Sequence, residues 1–115
     1  MNKVFVITNV FGEKKEVFLK FGKYPNERLA IDLVEKKSLE PYARVTINEP
    51  SIVLLEQVQI IVKNYGENEG MVAFLLANKL VKKEYSNFYV GFGGECCICE
   101  MTEELKGLGK EAMSD

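Results

Sequence analysis

The chain has 115 residues, 47% of them hydrophobic and 28% charged, which is typical of one globular domain and excludes a disordered polypeptide. Its 15 basic and 17 acidic residues give a net charge of −2, and the lysines are scattered rather than gathered in one run. This balance argues against both a basic nucleic-acid groove and an acidic mimic of the DNA backbone.

The first residues and the apolar runs bear on the compartment. Residues 1–15 lack the long apolar core and the small-residue cleavage site of a signal peptide. The longest apolar run, at 71–77, is much shorter than a membrane span. We therefore expect a cytoplasmic protein with no membrane segment, in which the three cysteines stay reduced.

The first two strands are predicted from apolar runs and from period-two alternation. Residues 4–10 are apolar on both faces, as in a central strand. A hairpin connection at 11–14 leads to a second strand over 16–21, with Val17 and Leu19 on one face. These two runs predict the first pair of an antiparallel sheet.

The middle of the chain continues with three more alternating runs, at 28–34, 42–48 and 57–63. The first two are joined by a short polar link and are predicted to pair antiparallel, with Thr46 facing outward. Pro50 ends the second of them because proline lacks the N–H donor of a strand ladder.

The period then changes to that of a helix. Residues 64–67 have the spacing of a capping box, and Asn68 is a rival cap one turn later. Apolar residues at helical spacing follow, at positions 71, 72, 75, 76 and 80. They predict one buried helix at about 68–80, with a left-handed exit at Asn78 and a favourable charge from Lys79 at the negative end of the helix.

The remaining segment predicts a strand over 85–92 and, after Gly93-Gly94, a β-prone stretch to 101. The glycine pair either turns a hairpin or bends one long strand. Residues 103–106 add a short helix that ends at the following glycines, and 107–115 are expected to fray.

The predicted fold class is therefore α+β. We expect one domain over residues 1–106, with a mainly antiparallel sheet of about five to seven strands and the buried helix packed on it. Residues 107–115 are expected to be a tail.

The stretch GGECCICE at 93–100 carries three cysteines in a chain without histidine. Because a strand sends successive side chains to opposite faces, Cys97 and Cys99 share one face, while Cys96 lies with Ile98 on the other. They do not converge on one ion, and a structural zinc site needs four thiolate or imidazole ligands. A redox thiolate needs a nearby cation or helix N-terminus, whereas carboxylates flank these thiols. We predict buried thiols, no metal and no cofactor.

Catalytic groups are sparse. Histidine, the commonest general acid and base, is absent, and no pair of carboxylates has a spacing that predicts convergence. GFGG at 91–94 resembles half of a phosphate-binding loop, but a β-prone segment follows where such a loop needs a helix. We predict a non-enzymatic protein in which these glycines shape the backbone.

Four segments, in this order, carry a family resemblance: ERLAIDL (27–33), EPYARVTINEP (40–50), IIVKNYGENEGMVAFLLANKLV (60–81) and GFGGECCICE (91–100). Together they resemble a family of short uncharacterised bacterial proteins carried on plasmids, conjugative elements and prophages. The shared motifs are structural, so no catalytic residue is carried over.

The resemblance implies a small cytoplasmic protein of a mobile genetic element that acts by occupying a partner. We hypothesise an inhibitor that binds a bacterial defence nuclease or captures its nucleotide signal. Nucleotide capture would need Arg28, Arg44 and lysines to meet around a pocket near 91–94. The alternative is an interaction module without an inhibitory role, such as a homodimer formed through an edge strand.

Tyrosine is favoured in interface hot spots, and this selects the candidate partner-binding residues. Each tyrosine has a competing interpretation, namely packing at the edge of the core. The candidates are the tyrosines Tyr42, Tyr65, Tyr85 and Tyr89, together with Arg44.

Overall fold

The computed structural model describes residues 3–9, 11–55, 57–91 and 93–113. The α+β class is confirmed, and the seven strands of the described chain are divided between two antiparallel sheets. A short 3-10 helix, Gly66–Asn68, precedes the first α-helix. In chain order the elements are β1 (Val4–Thr8), β2 (Lys14–Lys23), β3 (Leu29–Glu35), β4 (Pro41–Arg44), β5 (Gln59–Lys63), α1 (Met71–Ala77), β6 (Val81–Val90), β7 (Gly94–Met101) and α2 (Glu103–Met113).

The first sheet has the order β1-β2-β3-β4, and the predicted hairpin around 11–14 joins β1 to β2. The prediction that β1 is a central strand is wrong, because β1 lies at the outer edge of this sheet. Phe5 and Ile7 are buried, whereas Val6 between them is exposed. Only one face of β1 is covered, which produces this alternation. Val10, the predicted end of the strand, lies outside the described residues.

The second sheet has the order β5-β7-β6, again with antiparallel neighbours. The chain reverses between β6 and β7, and Val90 pairs with Gly94 across the turn. Gly91 and Gly93 adopt left-handed backbone conformations, with φ of 53° and 94°, which glycine accepts without steric cost. The glycine pair therefore belongs to a hairpin turn and not to a bend in one long strand.

The segment that follows β4 connects the two sheets. Thr46 forms an antiparallel bridge with Val62 of β5. Its hydroxyl accepts a 3.0 Å hydrogen bond from the backbone N–H of Ile31 in β3, and the hydroxyl of Tyr24 lies 3.0 Å away. The predicted outward position of Thr46 is wrong, because the side chain is buried where β3 and β5 both approach this segment.

The start of α1 differs from the prediction. The capping box at 64–67 is wrong, because α1 begins after Gly70, which has a φ of 90°. Asn64 instead reaches forward, and its side-chain oxygen accepts a 3.1 Å hydrogen bond from the N–H of Val72. Asn68 is buried and donates to one backbone carbonyl in β4 and one in β5. The left-handed residue after the helix is Lys79, with a φ of 57°, and not the predicted Asn78, which has a φ of −96°.

The second helix, α2, continues to Met113, past the glycines at which the sequence predicted its end. Leu105 is buried, and the backbone at Gly109 lies against the ring of Phe21 in β2. The helix face that contains Leu105 and Gly109 packs on β2, and this packing stabilises the helix despite the low helix propensity of glycine. The frayed tail predicted at 107–115 is therefore wrong as far as Met113.

Two clusters of buried residues lie on opposite faces of the second sheet. The larger cluster combines both sheets and both helices, including Leu33, Val62, Leu75 and Leu105. The smaller cluster consists of Leu54, Ile61 and Cys96, with half-buried neighbours around it. No helix in the described part of the chain is long and apolar enough to cross a membrane.

Candidate functional site

The cysteines occupy both faces of β7, as the strand period predicted. Cys97 and Cys99 lie in the larger cluster, while Cys96 lies in the smaller cluster beside Ile98. All three thiols are free and buried. The prediction of opposite faces is therefore confirmed.

The environment of the thiols keeps them protonated. Burial, together with a smaller effect of the carboxylate of Glu84, raises the pKa of Cys99 to about 12. Burial also raises the pKa of Cys97, with a contribution from a hydrogen bond to Glu84. Since nucleophiles and metal ligands are thiolates, these groups are inert at neutral pH. Within the described ranges, no three cysteine, aspartate or glutamate side chains are grouped so that they could hold a metal ion.

Two of the five candidate partner-binding residues lie on one exposed strand. Tyr85 and Tyr89 both belong to β6, and they are 46% and 66% exposed. The hydroxyl of Tyr85 donates a hydrogen bond to the carboxylate of Glu100 in β7. The ammonium of Lys83 lies 4.7 Å from the centre of the Tyr85 ring. These contacts hold Tyr85 on the surface of the sheet, with much of its ring in contact with water.

The other three candidates lie elsewhere: two tyrosines pack at the edges of the clusters, and Arg44 forms an ion pair at the surface. Tyr42 is half-buried against the larger cluster, and burial raises its pKa. Arg44 donates a 2.9 Å hydrogen bond to Asp32 on the neighbouring strand. Tyr65 is half-buried against the smaller cluster, where its ring covers Gly94. The structure therefore does not gather the five residues into one site.

The edge formed by β6 is the most exposed element of the second sheet. The side chains from Lys82 to Asn87 are all exposed. Register shifts interrupt its pairing with β7 between 81 and 86, whereas 86–90 pair one-to-one. Lys82 forms a 2.8 Å ion pair with Glu100. The strand thus has an irregular, charged first half and a regular, aromatic second half.

A separate cleft of about 600 Å³ lies on another part of the molecule. Its walls come from the β2–β3 turn, the segment entering β5, and α2, represented by Arg28, Val58 and Lys106. These residues are far apart in the sequence, so no local motif predicts the cleft. The only sequence signal was the scatter of lysines, which does not reveal a shared location.

The arrangement predicted for nucleotide capture is not formed at this cleft, nor at a smaller cleft beside Phe5 and Leu108. Neither is lined by Arg44 or by the described residues of the 91–94 turn. Arg28 lines the larger cleft, but its guanidinium donates to the backbone carbonyls of Glu49 and Ile52. The two arginines thus have separate structural roles.

Comparison of the chain with protein-family models, curated proteins and solved structures gives no match. The family resemblance of the four sequence segments therefore stays a prediction.

Proposed function

We propose that this chain is a non-enzymatic binding protein whose partner docks an extended segment along the outer edge of β6. The observation that carries the proposal is the position of β6, a ten-residue strand that ends the second sheet and pairs only with β7 among the described strands. Backbone groups on the outer edge of a sheet are a template for a further strand. Such an edge supplies hydrogen bonds for affinity, and its side chains supply selectivity.

The second half of β6 supports docking best. Bulges twist an edge away from a partner strand, and both register shifts of β6 lie before Ser86. Residues 86–90 keep a regular register and include the exposed Tyr89. Tyrosine supplies a large contact area at a low cost in conformational entropy. The first half carries Lys82 and Lys83, the charges with which edge strands resist unspecific pairing.

The resemblance to the mobile-element family indicates which partner to test first. We propose a bacterial defence nuclease, inhibited in the cytoplasm by occupation of its surface. The three free thiols fit a reducing compartment, and the inert chemistry of the thiols fits a protein that acts by contact. Capture of a nucleotide signal has weaker support, because Arg28 and Arg44 are engaged in separate contacts.

Self-association through the same edge is a second candidate, and the order of residues along β6 favours it. Lysines occupy one end of the strand, at 82 and 83, and aromatic residues occupy the other, at 88 and 89. Antiparallel pairing of the regular segments, 86–90, of two copies would place Tyr89 of each copy opposite Asn87 of the other and keep the two lysine pairs apart, at opposite ends of the paired segment. Parallel pairing would bring like charges together.

One pair of variants tests whether the partner binds at the outer edge of β6. Tyr89→Lys adds a charge at the proposed docking segment, whereas Phe11→Lys makes the same type of change at a residue of the β1–β2 turn that is 85% exposed. Each protein would be used to capture partners from a bacterial lysate, and the affinity for each purified partner would then be measured. We expect Tyr89→Lys to weaken binding by about tenfold or more, and Phe11→Lys to leave it unchanged.

Sedimentation velocity of the isolated protein separates the two candidates. A dimer that Tyr89→Lys dissociates would favour self-association, and a monomer at all concentrations would favour a different protein as partner. Equal binding by Tyr89→Lys and Phe11→Lys would contradict both candidates, because neither would then use the edge.

A further inference from the structure

The cleft beside α2 has the shape and floor of a small-molecule site. Its volume of about 600 Å³ lies within the range of roughly 300–1,000 Å³ that is usual for ligand pockets. Leu29, Val58, Ile60 and Met101 contribute an apolar floor. A ligand with an apolar body would remove this surface from water, which is favourable.

The charged residues among the described lining, which form the mouth of the cleft, carry more positive than negative charge, although the chain as a whole is acidic. The described lining residues include four cations, Lys23, Arg28, Lys106 and Lys110, against the two carboxylates of Glu27 and Glu103. The whole chain has 15 basic and 17 acidic residues, so this surplus of positive charge is local. A concave site lined by one sign of charge attracts ligands of the opposite sign.

The lysines at the mouth are loosely engaged. Lys23 lies 3.8 Å from Glu27, and Lys106 lies 3.6 Å from Glu103, both longer than a normal hydrogen bond. Lys110 forms no ion pair with another described residue. An anionic ligand could therefore bind these ammonium groups without breaking a strong internal contact.

The walls of the cleft are already in place. Arg28 donates to the carbonyls of Glu49 and Ile52, and so it fixes the segment before β5 against the β2–β3 turn. Glu27 and Gln57, which also line the cleft, adopt left-handed backbone conformations with φ of 71° and 64°. Such conformations are costly for residues with a Cβ, and they occur often at ligand sites.

We propose that this cleft binds a small amphipathic organic anion, with an unbranched apolar chain on the floor and one carboxylate among the lysines at the mouth. This site is independent of the β6 edge and does not rest on the proposed function. The ligand class follows from the combination of an apolar floor with surplus cations, since either feature alone would select a different ligand.

Calorimetric titration with octanoate, decanoate and dodecanoate tests the proposal, with 1-decanol as the uncharged control. We expect saturable binding of one molecule per chain. Each added pair of methylenes tightens binding by about tenfold until the chain fills the floor. Decanoate binds about tenfold more tightly than 1-decanol because only the carboxylate contacts the lysines. Equal affinity for decanoate and 1-decanol, or no saturable binding, would overturn the proposal.

Paired variants locate the site. The double variant Lys106→Gln/Lys110→Gln keeps exposed, helix-compatible side chains and is expected to weaken decanoate binding by about fivefold to tenfold. Lys82→Gln/Lys83→Gln removes the same charge from β6 and is expected to leave binding unchanged. Equal loss in both variants would show an unspecific charge effect, and unchanged binding in the first would place the ligand elsewhere; either result would overturn the proposal.

Discussion

The hydroxyl of Tyr85 donates a hydrogen bond to the carboxylate of Glu100 across the β6–β7 pair. The ammonium of Lys82 lies 2.8 Å from the other oxygen of the same carboxylate. The hydrogen bond from Lys82, followed by that from Tyr85, lowers the pKa of Glu100. The hydrogen bond to Glu100 in turn raises the pKa of Tyr85. One carboxylate thus fixes two side chains of the proposed docking strand.

The change Glu100→Gln is expected to lower the pKa of Tyr85 toward the ordinary value of 10.0, because it removes the anionic acceptor of the phenol proton. NMR titration of the tyrosine rings measures this pKa. Glu104→Gln is the matched control, since Glu104 pairs with Lys3 and not with β6. An unchanged pKa of Tyr85 in Glu100→Gln would contradict the contact.

The lowered pKa of Glu100 also predicts a dependence of stability on pH. A carboxyl whose pKa is lower in the folded state stabilises the fold above the unfolded value of about 4.5, and this contribution is lost as the pH falls through the folded value. Urea denaturation of the wild-type protein and of Glu100→Gln over this range measures the effect. The wild-type protein should lose more stability on acidification than the variant; identical pH profiles would count against the prediction.

Gly94 predicts a steric test of the β6–β7 turn. A Cβ at this position would lie 2.9 Å from three atoms of the Tyr65 ring, which is held against the smaller cluster. Gly94→Ala is therefore expected to destabilise the protein by about 1–3 kcal/mol, as overpacking does. In a Tyr65→Ala background the cost of Gly94→Ala should shrink, because the obstructing ring is absent. A double-mutant cycle in urea measures this coupling, and strict additivity would exclude it.

Gly107 predicts a stabilising change in α2. It lies inside the helix, and a Cβ there would meet no atom within 4 Å. Gly107→Ala should raise the free energy of unfolding by about 0.5–1 kcal/mol, because alanine loses less backbone entropy on folding. Gly70→Ala is the contrasting variant and should destabilise, since Gly70 has a φ of 90°. Destabilisation by Gly107→Ala, measured by thermal unfolding, would argue against a helix at this position.

The buried thiols predict slow chemical labelling. Cys96, Cys97 and Cys99 are buried and have raised pKa values, so a thiol reagent should react only as the protein unfolds. In strong denaturant all three should react at once. A thiol that reacts rapidly in the native protein, or zinc bound in equal amount to the protein, would contradict the structural role of these residues.

Prediction from the sequence succeeds where the periodicity of one strand or helix determines which face a side chain occupies. The opposite faces of Cys96 and Cys97 follow from strand geometry alone, and so do the buried positions of Val17 and Leu19. The left-handed exit, predicted at Asn78 from the end of the helical pattern, lies one residue further along, at Lys79. Each of these features depends on residues that are neighbours in the chain.

Prediction from the sequence fails where contacts with a distant segment determine the burial or the role of a residue. Thr46 is polar and alternates outward, yet β3 and β5 both approach it and bury it. Asn68 looks like a helix cap, but its amide bonds the backbone of two strands. Gly109 looks like a helix end, but the contact with Phe21 stabilises the helix through this position. Tertiary contacts override local preference in all three cases.

The candidate partner-binding residues also show that sequence alone does not reveal what distant contacts determine. Tyrosine content selected Tyr85 and Tyr89, which are exposed on β6, together with Tyr42 and Tyr65, which are half-buried. Composition cannot separate these pairs because exposure depends on strand order. The cleft beside α2 was not predicted at all, since its walls come from segments that meet only in the fold.

The most direct test of the β6 proposal is amide hydrogen exchange of the protein alone and in complex with its captured partner. We expect added protection at residues 86–90, because a docked strand would satisfy the backbone groups on this edge of β6. If self-association is the function, the same residues should gain protection as the protein concentration rises. Unchanged exchange at 86–90, with protection gained only elsewhere in the chain, would contradict the proposal that β6 is the docking edge.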